Sequence, residues 1–144
     1  MRIFVVAKIE HVMNKQEYKR KNEQWLAEKA KEPGVLALPR GILYKVLQSG
    51  APDGKIPNLS NVVVVHYTGR TIDGREFDNS YGGAPAALRL RELIEGWIIA
   101  LQRMRVGDKW ELYVPAEMGY GKLSQPGIPA FSTLIFQIEL IGLG

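Results

Sequence analysis

The chain contains no cysteine among its 144 residues. Disulfides, thiolate metal sites and a cysteine nucleophile are therefore excluded. No apolar run approaches the roughly 18 residues that a membrane-spanning helix needs. The apolar start of the chain stops at Lys8, short of the roughly 7–15 apolar residues in the core of a signal peptide. The sequence thus predicts no membrane insertion and a cytoplasmic protein, with a periplasmic protein trimmed of its signal as the alternative.

Signatures of common enzyme classes are also missing. The chain has no glycine-rich phosphate loop, no HExxH motif and no GxSxG motif. Its only histidines, His11 and His66, are too few for a histidine metal cluster, and its fifteen acidic residues show no paired pattern. We therefore expect neither a metal nor a cofactor.

Positive charge is concentrated near the amino terminus. The net charge is +4, and residues 1–41 carry nine Lys/Arg against five Asp/Glu, whereas residues 42–144 carry ten of each. No basic stripe with interleaved aromatic residues follows, which is the pattern of a nucleic-acid surface. The surplus is typical of a solvated helix face, and we expect no nucleic-acid partner.

Two elements are predicted ahead of the main body. Residues 1–12 are rich in β-branched side chains, which favour a strand. A helix is predicted over residues 14–32, because Asn14 and Glu17 form a capping-box pattern. Pro33-Gly34 marks the end of this helix.

The predicted helix has only a narrow apolar stripe. Tyr18, Trp25 and Leu26 share one face at helical spacing. Such a stripe fits a helix that lies against its own domain, or against a second copy, so the sequence leaves a monomer and an N-terminal-helix dimer open. We divide the chain into an N-terminal extension over residues 1–34 and a main domain over residues 35–144.

The main domain is mostly strand, with one helix. Alternating or β-branched runs predict strands at residues 42–47, 62–68, 75–77, 87–90, 109–114 and 133–141. A helix is predicted over residues 92–104, where Gly96 suggests close approach of a backbone or a ligand. A long loop over residues 115–132 indicates a functional segment. The predicted fold class is α+β, an antiparallel sheet wrapped around one amphipathic helix.

Aromatic residues stand beside turns or on the predicted helix. They are Tyr67, Phe77, Trp97, Tyr120 and Phe136. For each one alone, core packing is the better interpretation. Because turns and loops deliver side chains to a rim, the group predicts a concave apolar site with a few polar groups.

Several motifs resemble the FKBP family in the expected order. They are Val64–Gly69, Asp73–Ser80, Leu93–Trp97, Met104–Lys109, Gly119–Gly121, Ile128-Pro129 and Thr133–Phe136. The match runs from about Gly41 to the end of the chain. Residues 38–46 and 85–97 are most similar to bacterial Mip-like members.

The resemblance implies a half-barrel of antiparallel strands around the helix, and a peptidyl-prolyl cis-trans isomerase that acts on proline-containing polypeptides. It also implies binding of macrolide inhibitors between helix and sheet. The catalytic residues it implies are Tyr67, Phe77, Asp78, Trp97, Tyr120 and Phe136. The substrate-binding residues it implies are Leu88, Leu93, Ile94 and Ile128. Trp97 would form the floor beneath the proline ring, while the Ile94 amide and the Tyr120 hydroxyl would donate to substrate carbonyls.

The sequence also departs from the family pattern. Ala86 stands where eukaryotic members commonly have an aromatic residue, and Gln125 replaces a histidine of the loop. The stretches over residues 78–97 and 127–129 are shorter. These departures keep open an alternative, a client- or ligand-binding chaperone module without catalysis.

Overall fold

The computed structural model describes residues 13–144, so the predicted strand over residues 1–12 lies outside the described residues. Two α-helices are present, α1 at Lys15–Lys29 and α2 at Glu95–Leu101. Short 3-10 helices lie at Pro39–Gly41, Leu90–Glu92 and Ala116–Met118. Within residues 13–144, neither helix has the length and apolar content that crossing a bilayer requires.

Seven strands form one antiparallel sheet. They are β1 Leu36–Ala37, β2 Leu43–Gln48, β3 Val62–Arg70, β4 Glu76–Asn79, β5 Ala86–Arg89, β6 Lys109–Val114 and β7 Leu134–Leu143. Their order across the sheet is β1-β2-β6-β7-β3-β4, and β5 also pairs with β3. The predicted α+β fold with an antiparallel sheet is confirmed.

Strand β3 organises one end of the sheet because it pairs with three partners. One of its edges pairs with β7 along most of its length. The other edge is divided, with Val62–Val65 paired to β5 and Thr68–Arg70 paired to β4. The strands β4 and β5 are therefore both anchored to the same strand.

The main core lies between α2 and one face of the sheet. Side chains of a strand alternate between faces, and in β7 the members Leu134, Phe136, Ile138 and Leu140 all point into this core. Trp97 and Leu101 of α2 are buried against them. The helix thus fills the space that the curled sheet encloses.

Helix α1 packs against the opposite face of the same sheet. Ile135, which lies between two core residues of β7, is buried there with Leu43 and Tyr113. Trp25 and Leu26 of α1 cover this cluster, and the rings of Trp25 and Tyr113 are 5.9 Å apart. The apolar stripe of α1 therefore contacts its own chain.

The boundaries of both helices differ from the prediction. Helix α1 ends at Lys29 instead of Glu32, because the amides of Lys31 and Glu32 form tighter turns to Glu28 and Lys29. The predicted helix over residues 92–104 is shorter, because Leu93 and Ile94 have extended backbone between a 3-10 helix and α2. Their apolar spacing matched a helix, but the backbone there turns both side chains toward a cavity.

Gly96 makes close contact with a side chain, not with the backbone or ligand that its position suggested. A Cβ atom at Gly96 would lie 2.6 Å from Cγ1 and 2.9 Å from Cγ2 of Val114 on β6. Because Gly96 lacks this atom, α2 can lie directly on the sheet.

Candidate active site

The indole of Trp97 forms the floor of a cavity between α2 and the sheet. Trp97 lies in the first turn of α2, where the Ile94 carbonyl accepts hydrogen bonds from the Trp97 and Ile98 amides. The rings of Tyr67 and Phe136 meet the indole edge to face, with centroids 5.0 and 5.2 Å away. Each such pair contributes about 0.5–1.5 kcal/mol beyond its buried area, so three secondary-structure elements hold the indole in one orientation.

Strand β4 supplies one wall. Phe77 meets Phe136 edge to face at 5.7 Å. The next residue, Asp78, accepts a hydrogen bond of 2.6 Å from the Tyr67 hydroxyl through one carboxylate oxygen. Its other oxygen accepts from the Asn79 amide. Asp78 thus both orients the Tyr67 phenol and caps a backbone amide.

The Tyr67 hydroxyl is a persistent donor. Burial raises the pKa of this phenol, and the hydrogen bond to Asp78 raises the pKa further, because an adjacent carboxylate opposes formation of a phenolate. Tyr67 therefore remains protonated at neutral pH and stays bonded to Asp78 at the rim.

The opposite side of the cavity is formed by the segment that leads into α2. Leu93 and Ile94 line it with extended backbone. The Ile94 amide has no hydrogen-bond acceptor among residues 13–144. Because Ile94 is the N-cap position, this donor lies outside the helical hydrogen-bond pattern and is available to a bound carbonyl.

Tyr120 reaches the cavity from the long loop between β6 and β7. It is 38% exposed and is followed by Gly121, whose φ of 59° is in the left-handed region. The Gly121 amide donates to the Ala116 carbonyl at 2.8 Å. The phenol is thus held by its backbone at the open side of the cavity.

These elements enclose a cavity of about 290 Å³ that is open to solvent. Its walls are mainly apolar and aromatic, with two carboxylates and two phenols. The lining residues are Tyr67, Phe77, Asp78, Leu88, Glu92, Leu93, Ile94, Trp97, Tyr120 and Phe136. The residues predicted to form the site thus lie together, with one exception.

The exception is Ile128, which is 5% exposed and packs in the main core. Its backbone pairs with Gln125 in both directions, at 2.8 and 2.9 Å, and closes a tight turn. A Cβ atom at Gly127 in this turn would lie 3.3 Å from Phe77 Cβ. Ile128 therefore belongs to a turn behind the Phe77 wall.

Glu92 lines the cavity although sequence reasoning missed it. The sequence places Glu92 in the first turn of the predicted helix, where an acidic side chain interacts favourably with the helix dipole. In the structure it ends a 3-10 helix, and its side chain is exposed at the rim. The only sequence signal was its place beside Leu93.

His66 contacts the two residues that follow β4. The Nδ1 atom of His66 lies 2.9 Å from the Ser80 hydroxyl, and its ring stacks on Tyr81 at 4.5 Å. Within the described part of the chain, no three His, Cys, Asp or Glu side chains are grouped so that they could hold a metal ion.

Comparison with known proteins gives two matching families. The family described as FKBP-type peptidyl-prolyl cis-trans isomerase matches residues 54–141. The family described as the domain amino terminal to FKBP-type peptidyl-prolyl isomerase matches residues 4–46. The first match lies within the part of the chain that carries the motif resemblance, and the second lies ahead of it.

Individual relatives agree. The chain is 43% identical, over 84% of its length, to the FKBP-type peptidyl-prolyl cis-trans isomerase FkpA of Escherichia coli, of which the match covers 44%. It is 41% identical, over 89% of its length, to the outer membrane protein MIP of Legionella longbeachae, of which the match covers 55%. The chain thus spans about half the length of these curated relatives.

A solved structure matches nearly from end to end. It is the 1.6 Å crystal structure of a peptidyl-prolyl cis-trans isomerase from Pseudomonas syringae, 35% identical, with a TM-score of 0.85. The match covers 93% of this chain and 98% of that one. The family prediction is therefore confirmed, and the chain belongs to the FKBP-type peptidyl-prolyl cis-trans isomerase family.

Proposed function

We propose that this chain accelerates cis–trans rotation about the peptide bond that precedes proline, and that the cavity above Trp97 is its active site. The supporting observation is the arrangement of that cavity. A buried indole is held edge to face by Tyr67 and Phe136. Beside it lie the exposed phenol of Tyr120 and the Ile94 amide, which has no acceptor among residues 13–144. A proline ring fits such an apolar floor, and the adjacent donors suit the carbonyls that flank it.

The chemistry of the reaction suits a site without a nucleophile. Rotation about the peptide bond breaks amide resonance, and the barrier is about 18–20 kcal/mol. No covalent bond has to be cleaved, so the site has to bind the twisted amide better than the planar one. A twisted amide has lost conjugation and its carbonyl is less polar, so it loses less on leaving water.

The roles of the lining residues follow from their positions. Trp97, Phe77 and Phe136 would exclude water from the rotating bond. The Ile94 amide and the Tyr120 hydroxyl would bind carbonyls of the flanking chain, and Leu88 and Leu93 would contact its side chains. Tyr67 and Asp78 would set the polarity of the rim through their shared hydrogen bond, 2.6 Å long.

The test compares two tryptophans of similar burial, one that lines the cavity and one that does not. Trp97 and Trp110 are 4% and 5% exposed, and in both the indole nitrogen lacks a hydrogen-bond partner among the described residues. Only Trp97 lines the cavity, whereas Trp110 stacks on Tyr44 at 4.2 Å. Trp97→Phe and Trp110→Phe therefore remove similar buried surface at different places.

In a protease-coupled assay with a short proline peptide, we expect clear acceleration by the wild type. We expect Trp97→Phe to reduce kcat/KM at least about tenfold, the effect of losing about 1.4 kcal/mol of transition-state stabilisation. Trp110→Phe should retain activity at a comparable loss of stability. Equal activities in the two variants would refute the assignment of the site.

The alternative function is client binding without catalysis. Ala86 and the shortened loop over residues 127–129 are the features that leave it open. Turnover of short peptides and refolding of a proline-limited protein distinguish the two. An effect on refolding with no turnover of peptides would replace the proposed activity by the client-binding function.

We expect proline-containing polypeptides as substrates and macrolides as inhibitors, because both suit the apolar floor. Among the relatives, one is named an outer membrane protein, which favours the periplasmic alternative over a cytoplasmic location. The monomer and the N-terminal-helix dimer are distinguished by sedimentation of the full chain.

A further inference from the structure

Helix α1 is joined by hydrogen bonds to the end of the loop that carries Tyr120. Asn22 is 1% exposed, and its side-chain oxygen accepts from the Thr133 amide at 2.8 Å. Its side-chain nitrogen donates to the Tyr18 carbonyl at 2.8 Å. This buried asparagine satisfies a backbone donor that has no strand partner, because β7 begins only at Leu134.

The neighbouring side chains of α1 contact the two preceding loop residues. The Ser132 hydroxyl donates to the Pro129 carbonyl at 2.6 Å, so Tyr18 is the donor in the 3.0 Å hydrogen bond between the Tyr18 and Ser132 hydroxyls. The Lys19 ammonium lies over the Phe131 ring, 5.3 Å from its centroid. Three residues on one side of α1 thus hold three consecutive loop residues.

The loop residue at this point has strained backbone. Phe131 has a φ of 66° although it is not glycine, a conformation that costs about 1–2 kcal/mol. It persists only where surrounding contacts compensate the cost. Those contacts are the α1 side chains just described and one hydrogen bond within the loop.

That hydrogen bond leads directly to the cavity. The Phe131 amide donates to the Gly121 carbonyl at 2.8 Å. Gly121 follows Tyr120, and its amide is bonded to the Ala116 carbonyl. The strained turn at Phe131 is therefore bonded to the residue that directly follows Tyr120.

We propose that Asn22, on the far face of the sheet from the cavity, is a positioning residue that places Tyr120 over the substrate through Thr133, Phe131 and Gly121. The proposal rests on the isomerase function proposed above. In Asn22→Leu, the Thr133 amide is buried without an acceptor, the left-handed turn loses its support, and Tyr120 occupies several positions.

A double-mutant cycle tests this coupling. In the protease-coupled assay, Asn22→Leu should lower kcat/KM about threefold to tenfold, the range of one neutral hydrogen bond. In a Tyr120→Ala background there is no phenol to position, so the same change should cost less than about twofold.

A core variant serves as the matched control. Leu140→Ala in β7 removes buried volume away from the loop, and its effect on kcat/KM should be the same with and without Tyr120. Equal effects of Asn22→Leu in both backgrounds would overturn the proposal, because Asn22 would then contribute stability alone.

Amide hydrogen exchange separates this outcome from failure of the proposed function. Asn22→Leu should speed exchange at Phe131 more than at Leu112 in β6, whereas Leu140→Ala should speed both alike. If the wild type lacks turnover, the proposed function fails, and exchange alone decides whether Asn22 supports the loop. Equal acceleration at Phe131 and Leu112 in Asn22→Leu would overturn the coupling.

Discussion

Replacing Gly96 with alanine tests whether the position of α2 on the sheet controls the site. The added Cβ would lie 2.6 Å and 2.9 Å from the two methyl groups of Val114. Because carbon atoms are in optimal contact at about 3.5–4.0 Å, the helix or the valine has to move by about 1 Å. Trp97 is the next residue in the helix and would move with it.

Two opposing terms decide the stability of Gly96→Ala. Overpacking in a core costs about 1–3 kcal/mol. Alanine in a helix is favoured over glycine by at most about 1 kcal/mol. Because the overlap with Val114 is severe, the cost should lie in the upper part of that range, about 2–3 kcal/mol. We therefore expect a net loss of about 1–2 kcal/mol in the free energy of unfolding, measured by urea denaturation. We also expect kcat/KM to fall by about tenfold to a hundredfold, since a 1 Å displacement of a positioned group has effects of that order.

Removing the Val114 methyl groups should reverse the effect of Gly96→Ala. Val114→Ala alone should cost roughly 2 kcal/mol, from two buried methyl groups. Combined with Gly96→Ala it should cost much less, because the new methyl group occupies the vacated space. Gly83→Ala is the neutral control, since a Cβ there meets nothing within 4 Å. Wild-type stability and turnover in Gly96→Ala, or additive costs in the double variant, would refute this reasoning.

Three further predictions concern charge and pH. Among residues 13–144, Asp78 and Glu92 are the charged residues that line the cavity. Glu92→Gln should therefore lower kcat/KM for peptides with lysine beside proline by about twofold to fivefold relative to peptides with glutamate. Equal changes for both peptides would contradict this. The hydrogen bond from Thr71, and after it backbone hydrogen bonding, lowers the pKa of Asp73. The stability lost in Asp73→Asn should therefore be constant near neutral pH and disappear as pH falls below about 4. Urea unfolding that shows the same loss below about pH 4 would refute this expectation. The pKa of Tyr67 is raised chiefly by burial. Its contribution to stability should therefore be lost above about pH 10, where the phenol of the unfolded state ionises first. In Tyr67→Phe, the free energy of unfolding should then fall less steeply with rising pH, as followed by tyrosine absorbance.

Apolar patterning predicted the strands because alternation marks a strand, and the aromatic residues beside turns or on the helix predicted an apolar cavity. That group already held Tyr67, Tyr120 and Phe136. The motif resemblance added Asp78 and the role of Trp97 as the floor. The helix boundaries were predicted less well. Leu93 and Ile94 continue the helical spacing, while the backbone between the 3-10 helix and α2 is extended.

Polar contacts between segments that are distant in the sequence could not be predicted from the sequence. Asn22 is a polar residue on a charged helix, and no periodicity indicates that it is buried against Thr133. Ile128 was assigned to the site because it belongs to a loop motif, although its own turn directs it into the core. The division at residue 34 stays a prediction, and the apolar cluster of Leu43, Tyr113 and Ile135 is covered by side chains from both sides of it.

Because one edge of β3 is divided between β4 and β5, the cavity residues on these two strands are anchored independently. Phe77 and Asp78 are fixed through β4, Leu88 is fixed through β5, and residues 82–85 lie in the connection between them. Gly82 and Gly83 in this connection have open space around them. Residues inserted there would lengthen the connection while β4 and β5 keep their register on β3, so the connection can vary without moving the two walls or the indole between them.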